Sequence, residues 1–335
     1  MKPVMFLVLL MTLTSLSSCQ ADLRELCYDH SHMSDIQVRF QWPATEQTQV
    51  TGMTTLFYPT AQPSAEPVRY DFTGRDGGTV RLTSGDYQPI AYNNDTETIL
   101  YRGTSSAGTL EAYTRRSSIE EGTQLTRSGM PRAPGTESEP VILEPDPLWA
   151  AVSEPVTLQN VAGQEIVMPT VPRVFLVKIT INHVPNLQYT GQFGGALSGL
   201  AASVMMDSGE LSDETATQAF TAQVVGDSTL QMRFRIFGHC PRRSEGDVHE
   251  HLLTIYAVLA DGSKWYYTQD VSQQMHDKTK NPDIHYDPSH PETLEVTYTI
   301  DVDLEELPVP KPIVNGGGFQ PSIDGWQSIE IPVDM

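Results

Sequence analysis

Short runs of alternating apolar and polar residues, separated by turn residues, fill positions 36 to 115. In a strand, such alternation places apolar side chains on one face and polar side chains on the other. In IQVRFQW (36–42) the pattern directs Val38, Phe40 and Trp42 toward a core, and we expect Leu56 and Tyr58 of the next run to join them. The later runs lie at 68–72, 79–82, 86–95, 97–102 and 109–115. Runs at this spacing predict an antiparallel β-sandwich over residues 35–125.

A proline-rich segment follows at residues 126–148, with prolines at positions 131, 134, 140, 145 and 147. Proline donates no backbone hydrogen bond and stiffens the chain, so this composition predicts a linker, either a spacer or an irregular surface crossing. A second β-rich region runs from 149 to 305, with strand patterns at 173–184, 229–238, 248–272 and 293–302. The fold class predicted from these patterns is all-β, with two tandem antiparallel β-sandwich domains of the immunoglobulin-like kind joined by a Pro-rich linker.

Local features of the second region are a turn, a segment with helical composition and a tail. The Asp261-Gly262 step predicts a tight hairpin turn, because both residue types tolerate positive φ. Residues 195–206 (GALSGLAASVMM) indicate a short helix, and residues 212–218 (SDETATQ) a capped turn. The tail, 306–335, ends in an alternating run over residues 326–333. A strand at a chain end must pair with a sheet edge, in its own domain or in a neighbouring molecule.

The N-terminus has a basic start, an apolar core over residues 4–13 and a small polar segment before Cys19. This is the organisation of a secretory signal, here residues 1–18, whose core is too short to span a bilayer. The LSSC motif at 16–19 resembles the bacterial lipobox, in which the cysteine is acylated and becomes the mature N-terminus. We therefore expect a lipidated Cys19, a leader over 19–34 and attachment to a membrane surface. Ordinary cleavage near Ala21, giving a secreted chain without lipid, is the alternative.

The mature chain is strongly acidic. Loss of the signal removes one lysine, so 20 basic residues face 42 acidic ones, and 20 minus 42 gives a formal charge of −22. Such a surface repels phosphate backbones and argues against a nucleic-acid partner. It also disfavours direct adsorption to anionic lipid, so the acyl group would provide the membrane contact.

Two cysteines, Cys27 and Cys240, remain once Cys19 is assigned to lipid attachment. In an exported chain they can form a disulfide that joins the leader to the second region. Two separate thiols are the alternative.

The sequence contains no nucleophile elbow, phosphate-binding glycine loop or zinc-protease helix. We therefore predict no enzymatic activity, no cofactor and no metal site, although a site built from dispersed acids is a further hypothesis. The pairs His30/His32 and His249/His251 have the spacing of half-sites for a transition metal, but we interpret them as exposed histidines. The acidic run 301–306 lacks the spacing of a calcium loop and is interpreted as a strand end.

Aromatic residues in the run KWYYT (264–268) provide a candidate ligand site. If Trp265 and Tyr267 are exposed, their rings can stack on a glycan. Packing in the core is the alternative interpretation of the same residues.

The chain resembles a Bacteroides-type lipoprotein family of unknown function. The likeness lies in the LSSC motif, CYDH (27–30), LFYP (56–59), RYDFTGRDGGTVRLTSGDY (69–87), AYNNDTETILYRG (91–103) and the GGGF…W pattern of the tail. More distantly, it is similar to fimbrillin-like anchor and accessory subunits of lipoprotein-derived pili. The resemblance implies tandem transthyretin-like sandwiches, outer-membrane lipid attachment on the cell surface or the periplasmic face, and assembly by strand donation.

Relatives that polymerise are typically cut after an arginine, and Arg127 and Arg132 lie in the Pro-rich segment. A cut there would detach the lipidated domain, so the resemblance fits a retained anchor better than a shed subunit. The favoured function is thus a non-enzymatic envelope lipoprotein, an anchor, accessory or adhesive subunit, whose partners are a membrane and other envelope or pilus subunits. A surface lipoprotein that binds a glycan or another ligand is the alternative.

Overall fold

The computed structural model describes residues 33–43, 50–62, 64–125, 129–239, 251–277, 299–305, 307–312 and 325–328. Strands dominate these ranges, which confirms the all-β class. The first strands are β1 (Met33–Gln41), β2 (Met53–Pro59), β3 (Val68–Phe72), β4 (Gly77–Thr83), β5 (Gly85–Asn93), β6 (Ile99–Arg102), β7 (Glu111–Thr114), β8 (Val141–Ile142), β9 (Trp149–Val152), β10 (Val156–Leu158) and β11 (Gln164–Pro172). They are followed by β12 (Phe175–Asn182), β13 (Thr190–Ala201), β14 (Ser203–Met205), β15 (Thr215–Val225), β16 (Thr229–Ile236), β17 (Leu252–Leu259), β18 (Lys264–Asp270), β19 (Thr299–Glu305) and β20 (Trp326–Ser328).

Helices are short in the described ranges. Helix α1 spans Ile119–Thr123, helix α2 spans Ser272–Met275, and single 3-10 turns lie at Ala107–Thr109 and Leu187–Tyr189. Within these ranges, we find no helix with the length and apolar character needed to cross a bilayer.

The first sheet has the order β3-β2-β5-β9-β11-β1-β4, with β10 added beside β5. It curls until its two edge strands approach each other. The Tyr70 hydroxyl on β3 accepts a hydrogen bond from the backbone N–H of Arg81 on β4 at 3.2 Å and donates one to the carbonyl of the same residue. Phe72 of β3 packs edge-on against Phe40 of β1, with ring centroids 5.6 Å apart. Because of this curl, one core forms inside the sheet.

The alternation of β1 is confirmed. Val38 and Phe40 are buried, Trp42 is half-buried against the same core, and Arg39 is exposed. The expectation for β2 is wrong: Leu56 and Tyr58 point away from that core, and it is Phe57 between them that enters it. Strand β2 is buried on both faces, so its sequence has no polar face that would show which side chains point into this core.

The second sheet has the order β19-β12-β16-β15-β13-β17-β18-β20 and folds over a core of its own. The predicted hairpin between β17 and β18 is confirmed, with Gly262 at φ +82° in its turn. Residues 195–206 form strand instead of the expected helix, and residues 215–218 of the expected capped turn belong to β15. The small residues of β13 are required by close packing, since a Cβ on Gly195 would lie 2.5 Å from the Phe220 ring.

The chain returns to the first sheet after the Pro-rich segment, so the two predicted domains are not simply consecutive in sequence. Trp149, where we expected the second domain to begin, opens β9 of the first sheet, and the chain leaves that sheet only at Pro172. The Trp149 ring packs against Trp42, with ring centroids 5.3 Å apart. A high proline content indicates that a segment lacks ladder hydrogen bonds, but it does not show which sheet the chain joins afterwards.

The described part of the Pro-rich segment packs on the second sheet over residues 129–142, whereas Leu148 packs with residues of the first sheet. Strand β8 pairs in parallel with β15. The Tyr256 hydroxyl of β17 donates to the Pro131 carbonyl at 2.6 Å, and Met130 and Ala133 are buried. This segment is therefore a surface crossing that packs on the sheet.

Strand direction also differs from the antiparallel prediction. Parallel pairs occur between β1 and β11, β12 and β19, β15 and β8, and β18 and β20. These partners are distant in sequence and cannot be joined by hairpins. The alternation of apolar and polar residues shows which face of a strand is buried, and it is the same in parallel and antiparallel strands.

A small third sheet, β14-β7-β6, packs against the first sheet in a hydrophobic cluster that also includes Val174 and Phe237. The Glu111 carboxylate of β7 accepts two hydrogen bonds from the Arg102 guanidinium of β6, at 2.5 and 2.6 Å. The Ser203 hydroxyl of β14 donates to the same carboxylate. This interaction joins chain segments from the first and the second half of the fold.

Candidate functional site

Segments near the C-terminus form both edges of the second sheet. Strand β19 pairs in parallel with β12 at one edge, and β20 pairs in parallel with β18 at the other. Residues 307–309 cross the core between them, with Leu307 and Val309 buried. Edge strands carry the backbone groups that another chain can bind, so these two edges are where a strand-addition site would form.

In the described part of the tail, β20 pairs along the outer edge of β18. On its inner side, all seven residues of β18, Lys264 to Asp270, pair with β17. On its outer side, β20 pairs with Lys264, Trp265 and Tyr266 through Trp326, Gln327 and Ser328. Over these three residues, the terminal run of the tail therefore pairs with a strand of its own chain.

Trp326 makes the aromatic contact between the described part of β20 and the sheet. Its ring lies edge-on to the fully buried Tyr256, with centroids 5.5 Å apart and planes at 73°. Tyr266 and Val141 pack beside it. Burial raises the pKa of Tyr256 well above its usual value, so its hydroxyl remains a donor to Pro131.

The Trp326 indole N–H is buried, and within the described residues it has no hydrogen-bond partner. A buried donor left in this state costs about 1–3 kcal/mol. The described residues of the tail are thus docked by ring packing and backbone pairing, at the expense of one polar group.

The aromatic residues predicted as a glycan platform do not form one. Tyr267 is 1% exposed, and its hydroxyl donates to the Pro308 carbonyl at 2.8 Å. Trp265 lies on the same face of β18, half-buried against the same core, and its indole N–H donates to Ser263 Oγ at 3.2 Å. The segment at 307–309 covers this face, and no feature of the KWYYT run predicts that cover.

Three histidines meet at one end of the second sheet. His239 follows β16, His251 directly precedes β17 and His276 follows α2. One ring nitrogen of each lies within 4.8 Å of the others, and the His251 ring is fully buried. The interpretation of His251 as an exposed histidine is therefore wrong, and no spacing in the sequence groups it with the other two.

The remaining predicted residues lie outside the described residues. These are Cys19, Cys27, Cys240, Arg127 and the histidines at 30, 32 and 249. Their assignments stay predictions.

The described residues define an all-β protein in which two large sheets form a sandwich-like arrangement. A family profile described as "Domain of unknown function (DUF5119)" matches residues 18–221, and the chain belongs to this family. It is 22% identical over 354 residues to a Bacteroides ovatus protein named "Putative fimbrium anchoring subunit Fim4B", and the match covers 98% of each chain. The resemblance drawn from the sequence motifs is thereby confirmed.

One solved structure shares the fold, and a second aligns with a lower score. A crystal structure of "a putative adhesin from Bacteroides ovatus" aligns with a TM-score of 0.56 at 18% identity, covering 83% of this chain and 94% of that one. The fimbrial anchor protein Mfa2 from Porphyromonas gingivalis aligns with a TM-score of 0.48 at 14% identity, covering 82% and 90%.

Proposed function

We propose that this protein is a non-enzymatic cell-envelope lipoprotein, a fimbrillin-like anchor, accessory or adhesive subunit that binds a strand of another subunit at the β18 edge. The relative named as a fimbrium anchoring subunit supports the class of function, because the match spans nearly the whole of both chains. A lipid on Cys19 would hold the protein at the outer membrane.

The observation that carries the mechanism is the outer edge of β18: all seven of its residues pair with β17 on the inner side, and the tail pairs on the outer side at Lys264 to Tyr266. A strand from another subunit would displace the tail and pair with the same outer edge. Main-chain hydrogen bonds would supply affinity, and pockets for alternate side chains would supply specificity. The position of Trp326, beside the buried Tyr256, is such a pocket.

The chain's own tail competes for this edge because it is tethered. A short tether gives an effective concentration on the order of millimolar, so even a weak ladder stays paired in the isolated protein. A partner strand has to exceed that advantage through its own main-chain hydrogen bonds and side-chain contacts. The tail then protects the edge before assembly, which limits unwanted pairing between copies.

The way in which the N-terminal half packs into the fold supports retention of the whole protein at the membrane. Strand β1, the first described strand after Cys19, lies inside the first sheet, between β11 and β4. A cut after Arg132 would not separate the halves, since β9, β10 and β11 lie beyond it and belong to the first sheet. The Arg132 guanidinium also donates to Thr217 Oγ1 at 2.9 Å and is half-buried, so it is poorly placed for a protease.

A labelled peptide of the tail, GWQSIEIPVDM (325–335), tests the edge directly. The variant Trp326→Ala in the full chain weakens the resident strand and should bind the peptide more tightly than the unchanged protein does. A scrambled peptide is the control for sequence, and Leu100→Ala, an exposed residue of the third sheet, is the control for substitution. Equal and weak binding of the peptide by all three proteins would contradict an acceptor edge at β18.

A further inference from the structure

The cluster of His239, His251 and His276 has the geometry of a metal site. Its three rings come from three separate elements, and the ligating nitrogens lie within 4.8 Å of one another. The Nε2 atoms of His251 and His276 are 3.2 Å apart. Two nitrogens bound to one tetrahedral zinc ion at 2.0–2.1 Å are separated by about 3.3 Å. The pair therefore already has the spacing of two zinc ligands.

The surroundings of His251 fix which nitrogen is available. Its Nδ1 lies 3.2 Å from the backbone carbonyl of Ser198, which can only accept a hydrogen bond. Nδ1 must therefore carry the proton, so the Nε2 lone pair points toward His276. A histidine that donates its other N–H to a carbonyl is the usual arrangement around a bound metal, because it sets the tautomer and the ring orientation.

The backbone around the cluster is held by Ser272. Its hydroxyl accepts a hydrogen bond from the His251 backbone N–H at 2.8 Å and donates to the Asp270 carboxylate. Its carbonyl accepts from the His276 backbone N–H at 3.0 Å. One residue thus positions two of the three histidines, and the third, His239, is placed by a bridge to Leu200 on the neighbouring strand.

We propose that His239, His251 and His276 bind one divalent transition-metal ion, with Zn²⁺ as the best match. Imidazole nitrogen suits zinc, copper and nickel, whereas calcium and magnesium require oxygen ligands. Three protein ligands leave a fourth coordination position for water or an external group. His276 takes the tautomer with the proton on Nδ1 when its Nε2 binds the ion, so its net charge is unchanged.

The ion would join the end of β16, the start of β17 and the segment after α2. An ion that binds only the folded chain stabilises it by mass action, so thermal stability should rise with the zinc concentration. This inference is independent of strand addition at β18, and either can fail without the other.

The test uses the full mature chain, treated with a chelator and then titrated with Zn²⁺ by calorimetry. We expect one ion per chain at this site, and a loss of more than about tenfold in affinity for His251→Gln or His276→Gln. His183→Gln is the matched control, because His183 is exposed and lies outside the cluster. Five further histidines lie outside the described residues, so the comparison between variants assigns the ion.

Two further measurements distinguish the loss of metal binding from misfolding of a variant. The variant His276→Gln changes a half-buried surface ring and should melt like the unchanged chain in the absence of metal, yet gain no stability from zinc. Cobalt substitution should give the intense visible absorption of tetrahedral coordination in the unchanged chain and in His183→Gln only. Zinc affinity that is equal in all four proteins, or no binding in any, would overturn the proposal.

Discussion

Trp326 of the tail packs edge-on against Tyr256 of β17, with their ring centroids 5.5 Å apart, and the Tyr256 hydroxyl donates to the carbonyl of Pro131. One buried tyrosine therefore contacts both the C-terminal strand and the Pro-rich segment. Loss of either contact would expose part of the second sheet at the same place.

Removal of the Trp326 ring should loosen the tail without unfolding the protein. An aromatic pair of this kind contributes about 0.5–1.5 kcal/mol beyond its buried area. In Trp326→Ala we expect amide hydrogens of Lys264 to Tyr266 to exchange roughly tenfold faster, while those of β1 are unchanged. Hydrogen exchange with mass spectrometry measures both regions in one sample. Unchanged exchange along β18 would show that the ring does not hold the strand.

The Tyr267 hydroxyl should contribute to global stability. Its hydrogen bond to the Pro308 carbonyl is buried, so Tyr267→Phe should lower the free energy of unfolding by about 1 kcal/mol. Tyr266→Phe, on the opposite face of the same strand, is the matched control and should have little effect. Denaturant unfolding gives both values. Equal stability of the two variants would argue that the crossing segment does not seal the core.

The Glu111 interaction should make stability depend on pH. The hydrogen bonds from Arg102, together with the Ser203 hydroxyl, hold the pKa of Glu111 below its usual value of 4.5. A lowered pKa in the folded state stabilises the fold above the usual value, and this contribution is lost as pH falls through the folded pKa. The unchanged protein should exceed Glu111→Gln in stability at about pH 6, and the difference should shrink toward about pH 3.

Chemical denaturation across that range measures the Glu111 effect. The control is Glu165→Gln, whose partner Arg39 forms an exposed pair with it on the first sheet. Exposed pairs contribute about 0–1 kcal/mol, so this variant should differ little from the unchanged protein at any pH. A stability difference for Glu111→Gln that stays constant with pH would contradict the assignment.

The proposed lipid on Cys19 predicts the membrane behaviour of the protein. Cys19→Ala should move it from the membrane fraction to the soluble fraction, since acyl chains on this residue would supply the binding free energy. Cys27→Ser is the matched control and should stay with membranes. Equal membrane recovery of both variants, or an unmodified mature N-terminus by mass spectrometry, would argue against the lipid.

Local pattern predicted the strands well but not their partners. The alternation around Val38 and Phe40 located β1, and the Asp261-Gly262 step located a hairpin, because both depend on neighbouring residues only. Leu56 was placed on the wrong face because its strand is buried on both sides. The return of the chain to the first sheet at Trp149 depends on packing between distant segments. The strand conformation of β13 does too, although its small residues predict a helix from sequence alone.

The histidine cluster shows the same limit. His251 belonged to a visible pair, but His239 and His276 have no sequence spacing that links them to it. They meet because the end of β16, the start of β17 and the segment after α2 lie at one end of the same sheet.

A reversible disulfide between the tail and β18 tests strand addition most directly. Tyr266 and Ser328 are paired across the two strands, and neighbouring strands lie about 4.7–4.9 Å apart, which is within the span of a disulfide. The double variant Tyr266→Cys and Ser328→Cys, with the native cysteines replaced by serine, locks the tail when oxidised and releases it when reduced. We predict that the labelled tail peptide binds the reduced protein and fails to bind the oxidised protein. Equal binding in both states would contradict β18 as the acceptor edge.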